Sequence, residues 1–408
     1  MNNLETLISE RLGGQHFGKD VKIYKFEKIK RAKRQAIKEN PHIKLIDLGV
    51  GEPDDRANDN IIDVLFNEAK LKENRFYADN GIQEFKDAAA EYMEKRFNTS
   101  LDANSEINHA VGAKSALSMI PFIFINPGDY TITTVPGYPV ISTITEYLGG
   151  KTFKLPLLKQ NNFLPDLGTI PNDILKKTKI LYLNYPNNPT GAIAPKSFFK
   201  DVLNFAKIHN IFIVHDAAYI ELVYDEKQES FLTIDGAKDH VLEVHSLSKS
   251  FNMTGWRIAF VCSNSYIIKA FATIKDNIDS GQFIPIQKAA SYALKHCEFI
   301  EEIRKKYKRR LNRLTEILRK LGFFVNEPKG TFYIYFESPK AIKNGPSFEN
   351  AETFCDYLIR EKMISSVPWD DAGSFIRFCV AFEATDIEEE NAILDEIEKR
   401  LSSNIYIF

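Results

Sequence analysis

Between residues 109 and 261, short apolar runs alternate with longer helix-like stretches, and no other feature of the chain constrains its fold as much. The runs are His109–Val111, Tyr130–Thr134, Ile180–Leu183, Ile211–His215, Val241–His245 and Ile258–Val261. Between them Lys114–Phe124, Val140–Tyr147 and Ser197–His209 carry helical patterns. Strands that alternate with helices are joined by crossovers, so the pattern predicts βαβ units and a mostly parallel sheet covered on both faces. Ligands of such sheets bind beyond the carboxyl ends of the strands. The residues that follow each run are therefore the first candidates for chemistry.

The last third changes character. Cys297–Leu321 is long, charged and helical in pattern, and Gly322 supplies a helix stop. Short strand-like segments follow at Phe323–Val325, Phe332–Phe336 and Ile376–Phe378, with helical patterns at Ala351–Glu361 and Ile387–Leu401. Asn344-Gly345-Pro346 marks an exposed loop. At 408 residues the chain is long for one core. The expected division is an N-terminal arm with part of a small domain (1–46), a large α/β domain (47–290) and a C-terminal small α+β domain (291–408).

Composition excludes some partners. The 53 Lys+Arg and 55 Asp+Glu leave a formal net charge of -2, which gives no overall electrostatic case for nucleic acid or an anionic membrane. The basic residues Lys25, Lys28, Lys30, Arg31, Lys33 and Arg34 interleave with acidic and apolar positions, as on a solvated helix or a dimer-crossing arm. Cys262, Cys297, Cys355 and Cys379 form no CxxC pair, so neither a metal site nor a disulfide framework is expected. The N-terminus lacks the pattern of a signal peptide. The most apolar run, Met119–Ile125, is far short of the roughly 20 residues of a membrane span. The expected location is cytoplasmic.

Three clusters carry the chemistry, and each follows a strand-like run. The first is Ser246-Leu247-Ser248-Lys249, with Arg257 eight residues beyond the lysine. An amine between two hydroxyls, with a guanidinium nearby, suits a phosphorylated aldehyde: Lys249 can condense with the aldehyde while Ser246, Ser248 and Arg257 bind phosphate. The second is Asp216-Ala217-Ala218-Tyr219, whose carboxylate can hold a pyridine nitrogen protonated and whose phenol can reach a ring hydroxyl. The third is Asn184-Tyr185-Pro186-Asn187-Asn188-Pro189-Thr190-Gly191, a fixed turn that offers the Asn188 amide to the same hydroxyl.

In this order the three clusters resemble the class I and II aminotransferases, pyridoxal 5'-phosphate enzymes of fold type I. The resemblance runs from about Asp47 to Arg377. It implies a large domain with a mostly parallel seven-stranded sheet plus a smaller α+β domain. It implies that Lys249 bonds the cofactor aldehyde and moves protons, that Asp216 partners the pyridine nitrogen, and that Asn188 and Tyr219 contact the ring oxygen. Tyr138, in Pro136-Gly137-Tyr138-Pro139, is similar to the aromatic that stacks on the ring. Gly112, Ala113 and Lys114 open a helix after a strand, where backbone N–H groups favour phosphate. Tyr77 is similar to a tyrosine that reaches the phosphate of a neighbouring subunit, which implies a homodimer with sites at the subunit boundary. Arg377 resembles the arginine that grips a substrate α-carboxylate by fork geometry, and Gly51 a loop position close to that carboxylate. The partners implied are an amino acid and a 2-oxo acid, exchanged in ping-pong transamination.

Within the family, four segments are similar to the LL-diaminopimelate aminotransferases: Arg11–Lys19, Tyr24–Arg31, Asp276–Pro285 and Val367–Gly373. The resemblance implies an LL-diaminopimelate product formed from tetrahydrodipicolinate with glutamate as donor, in lysine and cell-wall synthesis. Tyr24 and Lys114 are similar to distal substrate contacts, and Asp79 or Asn80 could face the far ammonium. The chain departs from the plant-type branch in the Tyr77–Gly81 loop and at Ser280-Gly281. The competing expectations are an aspartate or alanine aminotransferase and a carbon–sulfur β-lyase of the same fold. A DNA-binding regulator of this fold would need a winged helix ahead of the cofactor domain, for which the N-terminal segment leaves no room.

Overall fold

The computed structural model describes residues 3–19 and 25–408. Seven strands form its main sheet, in the spatial order Ile107–Ala110, Ala259–Cys262, Val241–Ser246, Phe212–Asp216, Thr178–Asn184, Tyr130–Val135 and Lys151–Pro156. Ala259–Cys262 runs antiparallel to both of its neighbours, and every other pairing is parallel. The fold is α/β, as the alternating pattern predicts. The antiparallel strand has a local cause. The link from Ser246 to Ala259 contains only a short 3-10 turn, Thr254–Trp256, in place of the helix that a parallel return requires.

The seventh strand, Lys151–Pro156, lies outside the apolar runs. It is an edge strand whose side chains are mostly exposed or half-exposed, so Lys151 and Lys154 can occupy it. The helical stretch Lys114–Phe124 divides into Ala113–Met119 and Pro121–Phe124. Pro121 has no N–H to continue the first helix and begins the second at its favoured position. Phe323–Val325, expected as a strand, is none. Its buried–exposed–buried alternation is real, with Phe324 61% exposed, but its hydrogen bonds go to the preceding helix. Phe323 N–H donates to the Leu318 carbonyl at 3.0 Å and the Arg319 side chain to the Val325 carbonyl at 3.0 Å.

Helices cover both faces of the sheet. One apolar cluster joins the sheet to Phe85, Tyr92, Met93, Phe199 and Val202, and another packs Leu117, Met119 and Phe271 on the opposite face. A third cluster gathers Ile46 and Leu48 with Leu311, Phe332, Ile376 and Leu394. Its strands, Val367–Trp369, Phe375–Cys379 and Tyr333–Glu337, are antiparallel neighbours in that order. The short strand Ile46–Asp47 pairs parallel with Ile364–Ser365, and Cys379 N–H donates to the Leu48 carbonyl at 2.7 Å. The chain just before Gly49 is thus stitched to the C-terminal unit. Among the described residues no helix is long and apolar enough to cross a membrane.

A polar network lies inside the main sheet. Glu243 accepts from His215 Nδ1 at 2.8 Å, His245 Nε2 at 2.7 Å, the Ser230 hydroxyl at 2.7 Å and Phe231 N–H at 2.7 Å. Burial pushes the Glu243 carboxyl up, but the histidine bonds outweigh it and hold the group below the usual carboxylate range. The ligating atoms of Glu243, His245 and Cys262 lie within 4.8 Å of one another. The carboxylate is saturated by these donors, so the cluster reads as structural. Replacing Glu243 with Gln removes acceptor capacity that four buried donors share and is expected to cost about 3 kcal/mol. Chemical denaturation checks this, and an unshifted midpoint contradicts it.

Candidate active site

Parallel pairing brings two of the three clusters together. Asn184 lies opposite Asp216 in the register of adjacent strands, and the Asn184 side-chain amide donates to the Asp216 carbonyl at 2.9 Å. The Asn184 side-chain oxygen in turn accepts from Asn188 N–H at 2.9 Å, which fixes the following turn. The buried Asp216 carboxylate accepts from the Tyr182 hydroxyl at 3.1 Å and from Ala218 N–H at 3.1 Å. Burial pushes this carboxyl above its ordinary value, and those two hydrogen bonds oppose the rise.

Lys249 follows the next strand. Its Nζ donates to the Gly51 carbonyl at 2.6 Å. Burial pulls the amine down to about 8, with Arg377 and Arg257 adding to the shift and Glu52 opposing it. At pH 7 about a tenth of this amine is then uncharged, far more than of an exposed lysine, and the uncharged form is what a nucleophile or base requires.

Arg377 enters from the C-terminal unit and is buried in strand Phe375–Cys379. One terminal nitrogen donates to the Asn188 side-chain oxygen at 2.9 Å and the other to the Gly49 carbonyl at 2.9 Å. Its Nε is buried without a hydrogen-bond partner among the described residues, so the fork retains a donor. The guanidinium lies 4.1 Å from the centre of the Tyr333 ring. The two cations thus meet the carbonyls at either end of Gly49-Val50-Gly51.

Tyr333 was absent from the sequence expectations. Its hydroxyl is 2.9 Å from that of Tyr219, and a Cβ built on Gly51 would lie 2.5 Å from it. Gly51 is therefore small because a phenol occupies the space beside it. Burial pushes the Tyr333 phenol up to about 12, while Arg377 pulls it down. Strand periodicity held a signal for Tyr333. It faces Cys379 across the ladder, diagonal to Arg377 on the same face. Tyr182, which holds Asp216, was likewise not expected, and Asn184 opened the third cluster without a role of its own.

The phosphate candidates form a second group. The Arg257 guanidinium packs against Gly112: a Cβ there would lie 2.3 Å from a terminal nitrogen. Arg257 also donates to the Thr254 carbonyl at 2.8 Å, with the Ser248 hydroxyl at 3.5 Å, and the Ser246 hydroxyl accepts from Ser248 N–H at 3.1 Å. Helix Ala113–Met119 begins at this point, and its first N–H groups have no acceptor within the helix. The donors suit a phosphate monoester. With Lys249 for an aldehyde and Asp216 for a pyridinium, the residues present fit pyridoxal 5'-phosphate.

The other expected residues differ in their surroundings. Tyr138 is half-buried and packs on the cluster containing Leu117 and Tyr182. Lys114 is exposed. Tyr77 is 84% exposed. Tyr24 lies outside the described residues. Asn80 is engaged, donating to Asp276 at 2.6 Å and accepting from Asn108 at 2.9 Å, and the Asp79 carbonyl accepts from Lys275. The Tyr77–Gly81 loop and Ser280-Gly281 are neighbours: Ala78 bridges to Gly281, where a Cβ would lie 2.1 Å from the Ala78 carbonyl oxygen.

A desolvated lysine and a buried carboxylate at one edge of a mostly parallel sheet, with a buried arginine beside the same loop, are the arrangement of a fold type I aminotransferase. The sequence matches the Aminotransferase class I and II family over residues 43–392, and the chain belongs to that family of amino-group-transferring, pyridoxal-phosphate-dependent enzymes. It is 54% identical to the LL-diaminopimelate aminotransferase of Methanocaldococcus jannaschii, covering 98% of this chain and 97% of that one. It is 50% identical to the enzyme of the same name from Methanococcus maripaludis, covering 99% of each chain. Among solved structures, substrate-bound BacF from Bacillus subtilis matches with a TM-score of 0.88 at 29% identity, covering 98% of both chains. A Thermus thermophilus aspartate aminotransferase single mutant matches with a TM-score of 0.84 at 26% identity, covering 96% of this chain and 99% of that one.

Two outcomes follow. Capture of pyridoxal 5'-phosphate by the chain needs the uncharged Lys249 amine, so its rate rises with pH and levels off above about 8, measured by stopped-flow absorbance. Tyr333→Phe removes one hydroxyl between Tyr219 and Gly51 and lowers kcat/KM about five- to tenfold, by steady-state kinetics.

Proposed function

We infer that this chain is an LL-diaminopimelate aminotransferase, transferring the amino group of glutamate to tetrahydrodipicolinate in lysine and cell-wall synthesis. The observation that carries the reaction is the convergence of Lys249 and Arg377 on the two carbonyls of one three-residue stretch. It supports a reading in which a desolvated amine and a carboxylate fork serve one substrate. The near-full-length identity to two enzymes of that name supports the substrate.

The cofactor, once bound, supplies an electron sink for the pair left when the substrate α-carbon loses its proton. Gly112, Ala113, Lys114, Ser246, Ser248 and Arg257 would hold its phosphate, Tyr138 its ring face, and Asn188 with Tyr219 its ring oxygen. Asp216 would keep the ring nitrogen protonated, and that positive charge would offset the burial that raises the carboxyl. Arg377 orients the substrate by its α-carboxylate, beside the backbone of Gly51. Lys249 Nζ takes the α-proton and returns it one position along the reacting system. The Gly49–Glu52 segment restricts water at the reacting carbon.

Tyr77 supports a homodimer. An exposed tyrosine flanked by exposed Phe76 and near exposed Phe66 and Leu71 fits a subunit boundary. The proposed location is the cytoplasm. Residues 1–46 and 291–408 read as one small domain packed against the large domain of residues 47–290.

Half-reactions of the purified holoenzyme with LL-diaminopimelate, glutamate, aspartate and alanine test the substrate. Rapid loss of the cofactor's visible absorbance is expected with LL-diaminopimelate and glutamate. An inert LL-diaminopimelate beside a reactive aspartate overturns the substrate and leaves the class standing. Lys249→Ala is expected to lower turnover by about 10⁴-fold or more. Near-normal turnover would remove Lys249 from its role.

A further inference from the structure

Behind the Gly49–Glu52 segment lies a buried charged cluster that the reaction does not use directly. Arg310 and Asp54 are ion-paired at 3.0 Å with both side chains 2% exposed, and Arg310 also pairs with Glu390 at 2.9 Å. Arg309 donates twice to the Glu390 carboxylate, at 2.8 Å each. Lys306 bridges Asp54 at 3.0 Å and Asp55 at 2.7 Å, and the Tyr307 hydroxyl donates to Asp54 at 3.0 Å. Lys306, Arg309 and Arg310 thus balance Asp54, Asp55 and Glu390. Burial pushes the Asp54 carboxyl up, but Lys306 and Arg310 outweigh it and hold it below its ordinary value.

A buried ion cluster is weak support for stability by itself, since desolvation offsets much of the attraction. The connections of this one point elsewhere. Asp54 is three residues from Gly51, a span of at most about 10 Å of chain, and Pro53 between them fixes one backbone angle. Arg310 donates to the Val380 carbonyl at 3.0 Å and the Phe382 carbonyl at 2.8 Å, just beyond the strand that carries Arg377. Tyr307 packs on Phe332 with ring centres 5.2 Å apart, and Phe332 contacts Tyr333 at 4.8 Å and Tyr219 at 5.6 Å. One cluster therefore reaches the loop, the arginine strand and the phenol pair by three separate routes.

We propose that the Asp54–Arg310–Glu390 cluster, with Lys306 and Tyr307, positions the Gly49–Gly51 segment relative to Arg377 and so sets the grip on the substrate α-carboxylate. These are positioning residues, and none touches the reacting atoms. The proposal rests on the reading of Arg377 as the carboxylate fork. It assigns a function to charges on the helix Ile300–Lys320, remote in sequence from every motif.

The test is single-turnover kinetics of holoenzyme variants with glutamate and, separately, LL-diaminopimelate. Asp54→Asn keeps the shape and removes the charge. It is expected to raise the half-saturation concentration about tenfold for each amino acid while the limiting rate falls less than about threefold and cofactor affinity is unchanged. Tyr307→Phe, a milder change that keeps the packing, is expected to raise half-saturation about threefold in the same pattern. Glu398→Gln, which breaks pairs with Arg313 and Lys320 on the outer face of the same helix, is expected to leave half-saturation unchanged. A lowered melting temperature with half-saturation unchanged in Asp54→Asn and Tyr307→Phe overturns the proposal. So does a loss of limiting rate or cofactor affinity as large as the loss of saturation. An LL-diaminopimelate-inert wild type overturns the substrate reading instead, and the cluster is then judged on glutamate.

Discussion

Parallel pairing of buried strands is the constraint on which the rest of the molecule depends. It sends the carboxyl ends of Thr178–Asn184, Phe212–Asp216 and Val241–Ser246 to one edge of the sheet. Asn188, Asp216 and Lys249 then converge without any loop having to fold back over a long distance. The hydrogen bond between the Asn184 side chain and the Asp216 carbonyl is a direct product of that register. A single antiparallel strand, Ala259–Cys262, turns the chain so that Arg257 lies over Gly112. The edge of the sheet therefore collects one carboxylate and two cations from segments spread over residues 216–257.

Burial then decides what those charges can do. The Lys249 amine is pulled down toward neutrality because water is excluded around it. The same exclusion would make Arg377 costly if it were left unpaired, and the carbonyl of Gly49 and the side chain of Asn188 share its fork. The Gly49–Glu52 segment is thus held at two of its carbonyls by two cations, and the buried Asp54 ion cluster begins two residues beyond it. Its glycines admit what side chains would block: the Tyr333 hydroxyl occupies the place of a Cβ at Gly51.

Much of this was legible in the residues. Six of the seven sheet strands announced themselves as apolar runs because they are buried on both faces. The seventh did not, because an edge strand with Lys151 and Lys154 has solvent beside it. Phe323–Val325 has the alternation of a strand and no partner strand, since pairing is a property of two segments and only one was visible. Lys249, Asp216, Asn188 and Arg257 stood in motifs of fixed spacing, so local sequence was enough to nominate them, whereas Arg377 was nominated by family resemblance alone. Tyr333 and Tyr182 stand in no motif, and their place beside Arg377 and Asp216 comes from strand register alone.

The sequence by itself determined the strand–helix alternation, the identity of the reactive groups and the local turns that present them, because these depend on periodicity and on neighbours a few residues apart. Only the tertiary structure decided that Arg377 and Lys249 meet the same three-residue stretch, that Gly281 lies under Ala78, and that Arg310 joins Asp54 to Glu390. Those contacts link segments more than 75 residues apart, as with Arg310 and Glu390 at a separation of 80. They depend on burial and packing, which exist only once the chain has closed around them.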